Sequence, residues 1–174
     1  MRSVVLAVLL LAVSSSTLAL QCKIAKNFPL FNQCDPKWGS NPLGSSSTIC
    51  KVGCLMSSVA AGLAGFGKTI NGQTPNPQNL NTFLKANGGF SGNMFVWGAV
   101  ERFGVRFEGW NRDRTAMKNA ICANKIVILN VNNGGHWVLA TGANDSGFTV
   151  NDTGYDRSTY SNDAVVDSGI YRVV

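Results

Sequence analysis

The chain has 174 residues, of which 45% are hydrophobic and 14% charged, with a net charge of +6 and one histidine. Apolar side chains are frequent enough to form a core, which excludes a globally disordered chain. A single histidine excludes a metal site built from several histidines, and the length excludes a dehydrogenase made of two nucleotide-binding halves. The basic residues are scattered and lack interleaved aromatic residues, so we expect no nucleic-acid partner.

The amino terminus has the pattern of a secretory signal peptide. Arg2 precedes a run of Val, Leu and Ala over residues 4–13, and small residues follow up to Ala19. This pattern predicts cleavage after Ala19 (signal peptide 1–19) and one domain over residues 20–174. The alternative is a short membrane anchor, but the run is short for a transmembrane helix and no later segment reaches that length. We therefore expect no membrane span and a location outside the cell or in a secretory, lysosome-like vesicle.

Apolar periodicity and turn residues predict helices first and an antiparallel sheet second. The predicted helices cover residues 54–66, 76–87, 94–104 and 115–123, and the predicted strands cover 105–107, 125–131, 136–142, 148–152 and 169–174. Residues 39–48, rich in Gly, Ser, Asn and Pro, are predicted to be a loop. Since no repeat or linker interrupts this series, the elements belong to one α+β domain.

Five cysteines raise the question of which one is unpaired. In an oxidising compartment cysteines form disulfides, and an odd number leaves at least one thiol over. Cys54 differs from the others because it begins a predicted buried helix, where free N–H groups and the helix dipole favour a thiolate. The alternative is that Cys54 is a disulfide half or a small core residue, and position alone does not separate the two.

The single histidine lies where it can meet a carboxylate. His136 begins a predicted strand directly after the turn sequence Asn132–Gly135, and Asp152 ends the next strand. In an antiparallel hairpin with its turn near Asp145, the two ends meet, allowing for a bulge. A cysteine, a histidine and an aspartate in this order can supply a nucleophile, its base and the residue that orients the base. A lone histidine by itself would be weak evidence.

Three segments together resemble a known family of enzymes. They are Phe31–Gly39, Val52–Cys54 with the helix that follows, and Gly135–Gly142 with Val150–Asp152. The chain resembles the papain-like cysteine peptidases of the double-glycine-leader (bacteriocin-processing) type, most closely the stand-alone relatives. The resemblance covers roughly residues 28–152 and implies a papain-like fold, with N-terminal helices packed on a C-terminal antiparallel sheet.

The resemblance also implies roles for individual residues. Cys54 would be the nucleophile, His136 the base, Asp152 its orienting partner, and Gln33 an oxyanion donor together with the backbone N–H of Cys54. Without the resemblance, Gln33 could equally be a surface turn residue. The sequence departs from the family after Asp152, where Thr153 stands in place of a common proline. No transporter segment accompanies the domain, so the family's export-coupled role does not carry over.

If Cys54 is free, the other four cysteines must pair. Cys34 and Cys50 flank the loop before the helix of Cys54, so we expect a Cys34–Cys50 bridge and, with it, a Cys22–Cys122 bridge. Two N-glycosylation sequences begin at Asn144 and Asn151. We expect Asn144, in a turn, to be usable and Asn151, beside Asp152, to be unmodified.

The leading hypothesis is a secreted cysteine peptidase or amidase that forms an acyl-enzyme and needs no cofactor. Its partner would be a peptide or peptidoglycan-type substrate, since a basic protein suits an anionic cell wall. The contrasting hypothesis is a catalytically silent secreted binding or toxin module on the same scaffold. A disulfide at Cys54 would favour that second hypothesis.

Overall fold

The computed structural model describes residues 19–174, which form helices and antiparallel β-structure. The predicted signal peptide, residues 1–19, lies outside the described residues except for Ala19. The helices are α1 (Ile49–Val52), α2 (Cys54–Gly65), α3 (Pro77–Ala86), α4 (Arg114–Cys122) and the 3-10 helices Trp97–Phe103 and Asn162–Ala164. The strands are β1 (Gln21–Lys23), β2 (Pro42–Leu43), β3 (Ser47–Thr48), β4 (Phe90–Ser91), β5 (Met94–Phe95), β6 (Val105–Trp110), β7 (Ile126–Val131), β8 (His136–Asn144), β9 (Gly147–Asn151), β10 (Thr159–Ser161) and β11 (Val165–Val173).

The main sheet has seven strands, and every paired neighbour is antiparallel. The order is β10-β9-β8-β7-β11-β6, and β1 also pairs with β8. Strand β8 is long enough to serve two neighbours, since residues 136–139 pair with β7 and residues 142–144 pair with β1. Two small ladders, β2–β3 and β4–β5, lie outside this sheet.

Helices cover both faces of the sheet. Helices α2 and α3 pack on one face with Ile126, Ile128 and Leu139, and α4 packs on the other with Val127 and Val138. Every residue of β7 is buried, which explains why this strand is a continuous apolar run in the sequence. The sheet is therefore a rigid middle layer whose strand ends can hold side chains in fixed positions.

Helix α2 lies close against the sheet because its residues are small. A Cβ added at Gly62 would lie only 2.8 Å from Cγ2 of Ile126. Ser58 donates from its hydroxyl to the carbonyl oxygen of Trp137 on β8, at 3.1 Å. These contacts fix the start of α2, and with it Cys54, relative to the first residues of β8.

A β-bulge at Thr141 sets which residues of β9 face which residues of β8. Asn144 pairs with Gly147, but the register shifts between Ala140 and Gly142, so that Leu139 pairs with Asn151. A shift of one residue in the register turns each side chain to the opposite face of the sheet. The bulge therefore determines the face on which the residue after Asn151 lies.

The prediction of helices with an antiparallel sheet is confirmed, and several details differ. The predicted helix over residues 94–104 starts only at Trp97 and is a 3-10 helix, because residues 94–95 pair with β4. The predicted loop 39–48 contains the ladder of β2 and β3. Helix α4 packs on the face opposite α2, and the amino-terminal strand β1 joins the sheet, so the arrangement is not simply N-terminal helices on a C-terminal sheet.

Candidate active site

Cys54 is the first residue of α2 and the free cysteine among the described residues. Gly53 separates α1 from α2, and a Cβ there would collide with the carbonyl oxygen of Ile49. Because Gly53 has no side chain to cap the helix, the first N–H groups of α2 have no side-chain cap. The partly exposed thiol therefore lies at a helix start whose N–H groups can serve an anionic reaction centre.

His136 is held at the start of β8 by a tight turn. Asn132, Asn133 and Gly134 all have positive φ, a conformation that asparagine and glycine tolerate best. The His136 side chain is 6% exposed, and its Nε2 lies 2.6 Å from Oδ1 of Asp152. Cys54 lies close enough to the ring to raise the pKa of the imidazole. Since Nε2 is engaged by Asp152, the other ring nitrogen is the one left for Cys54.

The carboxylate of Asp152 accepts hydrogen bonds on both oxygens. Oδ1 accepts from His136 and from the backbone N–H groups of Gly154 at 2.9 Å and Tyr155 at 3.0 Å. Oδ2 accepts from the hydroxyl of Tyr160 at 2.7 Å. A buried carboxylate with its lone pairs satisfied in this way is fixed in place and remains charged.

The pKa values of the cluster formed by His136, Asp152 and Tyr160 follow from burial and from these hydrogen bonds. Burial alone lowers the pKa of His136, but the hydrogen bond and negative charge of Asp152, together with the nearby Cys54, outweigh it and raise the pKa to about 9. Burial opposes the charged form of Asp152, yet the bonds from His136, Gly154, Tyr160 and Tyr155 place its pKa below the usual value. Burial and the neighbouring Asp152 raise the pKa of Tyr160 to about 12. At neutral pH His136 is therefore a cation that lies beside the carboxylate of Asp152 and the sulfur of Cys54.

Gln33 lies buried against the same cluster. Its side-chain Nε2 donates to the carbonyl oxygen of Cys50 at 2.7 Å, and its backbone N–H donates to the carbonyl oxygen of Thr153 at 2.8 Å. Cys34, the next residue, forms a disulfide with Cys50. The segment of Gln33 is thereby joined by a covalent bond and a hydrogen bond to the chain that leads into Cys54.

The structure pairs the remaining cysteines as Cys22–Cys122, joining β1 to the end of α4. Asn144 is exposed in the β8–β9 turn, where its Oδ1 accepts from Ser146 and Gly147. The side-chain amide of Asn151 instead donates to the carbonyl oxygens of Phe28 and Pro29. Within residues 19–174, no three side chains of His, Cys, Asp or Glu are grouped as a metal site.

Sequence reasoning missed three residues that contact the cluster. Tyr160 lies on β10, which is too short to show a strand pattern, and its bond to Asp152 has no signal in the sequence. Gly154 lies against His136, since a Cβ there would be 2.8 Å from Cε1 of the imidazole. The ring of Tyr155 meets that of His136 edge to face, with centroids 4.9 Å apart. The departure from the family at Thr153 was the one available signal that this loop is special.

A pocket of about 340 Å³ opens beside Cys54. Its walls are mostly apolar and come from β2, α1, α2, the β4–β5 ladder, the 3-10 helix that follows it and the start of β8. The lining residues are Leu43, Val52, Leu55, Met56, Phe90, Met94, Phe95, Trp97 and Trp137, with Lys51, Asn93 and Gly135. Lys51 is its single charged residue. A larger pocket of about 490 Å³ borders α3, is lined mainly by polar side chains and does not include Cys54. Of these two pockets, the first is therefore the one that Cys54 lines.

Among residues 19–174, no helix combines the length and the apolar character that a membrane crossing requires. No protein-family model matches the chain, and no curated protein matches it. Among solved structures, the crystal structure of a double glycine motif protease from an AMS/PCAT transporter, in complex with the leader peptide, aligns with 69% of this chain and 86% of its own. That protease is 14% identical in sequence, with a TM-score of 0.47, a likeness that establishes neither family nor activity.

Proposed function

We propose that this chain is a secreted thiol hydrolase that cleaves peptide or amide bonds, with Cys54 as the nucleophile. One observation carries the proposal: the imidazole of His136 is hydrogen-bonded to the carboxylate of Asp152, and the free thiol of Cys54 lies close enough to the same ring to raise its pKa. Nucleophile, base and orienting group linked in this way are the arrangement that covalent catalysis by a thiol needs. The two disulfides and the absence of a membrane-spanning helix in the described chain are compatible with secretion.

The reaction follows from the positions of these groups. The sulfur of Cys54, its proton transferred to His136, forms a bond to the carbonyl carbon of the substrate. As the C–N bond breaks, His136 gives that proton to the leaving amine, and a thioester remains on Cys54. Water then attacks the thioester and loses a proton to His136, which returns it to the sulfur as the carboxylic acid leaves. Asp152 keeps the imidazole oriented through both halves of the cycle.

The negative charge that develops on the carbonyl oxygen needs donors already in place. The backbone N–H of Cys54, at the start of α2, is one donor. The amide of Gln33 is the second, because one of its N–H groups is bonded to Cys50 and the other remains for the substrate. Losing one such donor typically costs about 3–4 kcal/mol of transition-state stabilisation.

The pocket beside Cys54 indicates what the substrate carries. Its aromatic and aliphatic walls, including Phe90, Phe95 and Trp137, favour a bulky apolar side chain near the scissile bond. Lys51 at the same pocket favours a substrate with a carboxylate close to that side chain over one with a basic group. We expect peptides with a large apolar residue to be cleaved faster than those with Gly or Lys at that position.

The net charge of +6 supports a second candidate substrate, the peptide part of an anionic microbial cell wall. The chemistry at Cys54 is the same, and only the substrate differs. Digestion of casein and of purified peptidoglycan in parallel separates the two candidates. Release of peptide fragments from only one of them assigns the substrate.

Thiol labelling together with hydrolysis tests the proposed function. Native protein is treated with iodoacetamide and mapped by mass spectrometry, and a panel of fluorogenic peptides and casein is assayed before and after labelling. We expect modification at Cys54 alone, with loss of hydrolysis in step with labelling and no hydrolysis by Cys54→Ala. The control is Ser57→Ala, a buried residue one turn further along α2, which should keep activity.

Two results would contradict the proposal and favour a secreted binding module. One is a native protein in which Cys54 is found in a disulfide. The other is a fully labelled Cys54 with no hydrolysis of any peptide, ester or peptidoglycan substrate by the unlabelled protein.

A further inference from the structure

Thr153 occupies the space between the oxyanion donor and the nucleophile. It is 1% exposed, and its hydroxyl oxygen lies 3.5 Å from Oε1 of Gln33 and 3.5 Å from the carbonyl oxygen of Cys54. Its own carbonyl oxygen accepts the backbone N–H of Gln33 at 2.8 Å. Thr153 therefore touches Gln33 through both backbone and side chain and reaches the first residue of α2 as well.

The hydroxyl of Thr153 restricts how the Gln33 amide can turn. A hydroxyl has one proton, and both neighbours at 3.5 Å are acceptors, so it donates to one of them at a time. In the side-chain amide of Gln33, Oε1 faces the hydroxyl of Thr153 and Nε2 faces the carbonyl oxygen of Cys50. Because these two partners differ, the amide has one preferred orientation. The second N–H of Nε2 is then held in one direction, which an oxyanion donor requires.

We propose that Thr153 is a positioning residue that orients the Gln33 amide for oxyanion binding; this rests on the proposed function. The preceding residue, Asp152, binds His136, and the following residue, Gly154, lies against the imidazole. One short segment, residues 152–154, thus positions the base and the oxyanion donor together.

Two reactions of Cys54 separate this role from a merely structural one. Hydrolysis of an ester or amide passes through an oxyanion and needs the Gln33 amide. Alkylation by iodoacetamide forms no oxyanion and reports only the thiol and its base. A residue that acts through Gln33 changes the first reaction alone, whereas a residue that merely holds the loop together changes both.

The experiment compares Thr153→Val, which removes the hydroxyl at nearly constant shape, with Thr153→Ser, which keeps it. We expect Thr153→Val to lower kcat by about tenfold, the loss typical of one buried hydrogen bond, with KM within about twofold. Its alkylation rate and the pH profile of that rate should match the unmodified protein. Thr153→Ser should recover most of kcat, and Thr149→Val, which removes an exposed hydroxyl on β9 that is bonded to Thr141 on β8, should have no effect.

A double-mutant cycle and an activity-independent signal complete the test. In a Gln33→Ala background, Thr153→Val should cause no further loss of kcat, because the group it positions is gone. In ¹⁵N spectra, the side-chain NH₂ pair of Gln33, assigned by its absence from Gln33→Ala, should shift in Thr153→Val and not in Thr149→Val.

The outcomes distinguish this inference from the proposed function. An unchanged kcat, an equal fall in hydrolysis and alkylation, or an unmoved Gln33 NH₂ pair would each overturn the role of Thr153. A protein that hydrolyses no substrate would overturn the proposed function, and the NH₂ signal would still decide whether Thr153 orients Gln33.

Discussion

The Nε2 of His136 lies 2.6 Å from Oδ1 of Asp152. The β-bulge at Thr141 allows this contact because it places the two side chains on the same face of the sheet. With the bulge, Asn151 pairs with Leu139, and the next residue along, Asp152, comes opposite Val138. Val138 and His136 are two residues apart and share one face of β8. In the unbulged register set by Asn144 and Gly147, Asp152 would come opposite Leu139 and face away from the imidazole.

Replacement of Asp152 by Asn tests whether its charge matters beyond its shape. Asn has one acceptor oxygen, so it cannot satisfy His136 and Tyr160 as the carboxylate does, and it removes the charge that keeps the imidazole protonated. We expect Asp152→Asn to lower kcat by up to about 10⁴-fold, the loss found when the orienting aspartate of a serine protease triad is changed to asparagine. Exposed Asp156→Asn is the matched control and should hydrolyse normally. Near-normal activity of Asp152→Asn would contradict the orienting role.

The stability of the folded protein should fall as the pH rises and His136 loses its proton. Its pKa in the folded protein is about 9, above the ordinary value of 6.5, because the hydrogen bond to Asp152 and the nearby Cys54 outweigh the effect of burial, which lowers the pKa. A pKa raised on folding stabilises the folded state fully below about pH 6.5, and that stability is lost as the pH rises through about 9. We expect the Tm of the unmodified protein to fall more steeply between pH 6.5 and 9.5 than that of His136→Asn. Parallel Tm profiles for the two proteins would show that the imidazolium is not stabilised in the fold.

Gly154 should be required for the position of the base. Its backbone allows an alanine, but the added Cβ would lie 2.8 Å from Cε1 of His136, so the imidazole must move. A displacement of this kind can cost about 10²-fold in rate, and it affects the thiol as well as hydrolysis because both depend on His136. We expect Gly154→Ala to slow alkylation of Cys54 and hydrolysis together, unlike Thr153→Val. Gly98→Ala, where a Cβ meets nothing within 4 Å, is the control and should leave both rates unchanged.

Local sequence patterns predicted many of the helices and strands. The features that these patterns did not predict depend on tertiary contacts. The apolar run of β7 and the Asn-Gly turn before His136 predicted two strands to within a residue or two of their observed starts. Helix α2 followed from its apolar spacing and its glycines. The contacts of Tyr160 and Thr153 depend on how β10 and the loop after β9 return to the cluster, which no periodicity encodes. The ring contacts of Trp97, at the start of the 3-10 helix Trp97–Phe103, with Phe107, Trp137 and Tyr171 likewise join distant parts of the chain.

The two disulfides should differ in what their removal costs. Cys34 and Cys50 are 16 residues apart and Cys22 and Cys122 are 100 apart. In the chain-entropy model these loops correspond to about 3 and about 4.7 kcal/mol of stability, respectively. We expect the Cys22→Ala/Cys122→Ala variant to lose more stability in denaturant unfolding, with little change in kcat. The Cys34→Ala/Cys50→Ala variant should lose less stability but more kcat, because it loosens Gln33. Equal kcat values for the two folded variants would contradict the coupling between that bridge and the site.

The two N-glycosylation sequences should behave differently when the protein is secreted by a eukaryotic host. Asn144 is exposed in the β8–β9 turn, and its described hydrogen bonds use Oδ1, so Nδ2 remains for a glycan. The Nδ2 of Asn151 donates to the carbonyl oxygens of Phe28 and Pro29, and a glycan there would break both bonds next to Asp152. Intact-mass measurement with and without enzymatic deglycosylation should show occupancy removed by Asn144→Gln and unaffected by Asn151→Gln. Occupancy of Asn151 in active, folded protein would contradict the placement of Asp152 in a crowded, buried site, because a glycan one residue away would have to leave His136 and Tyr160 undisturbed.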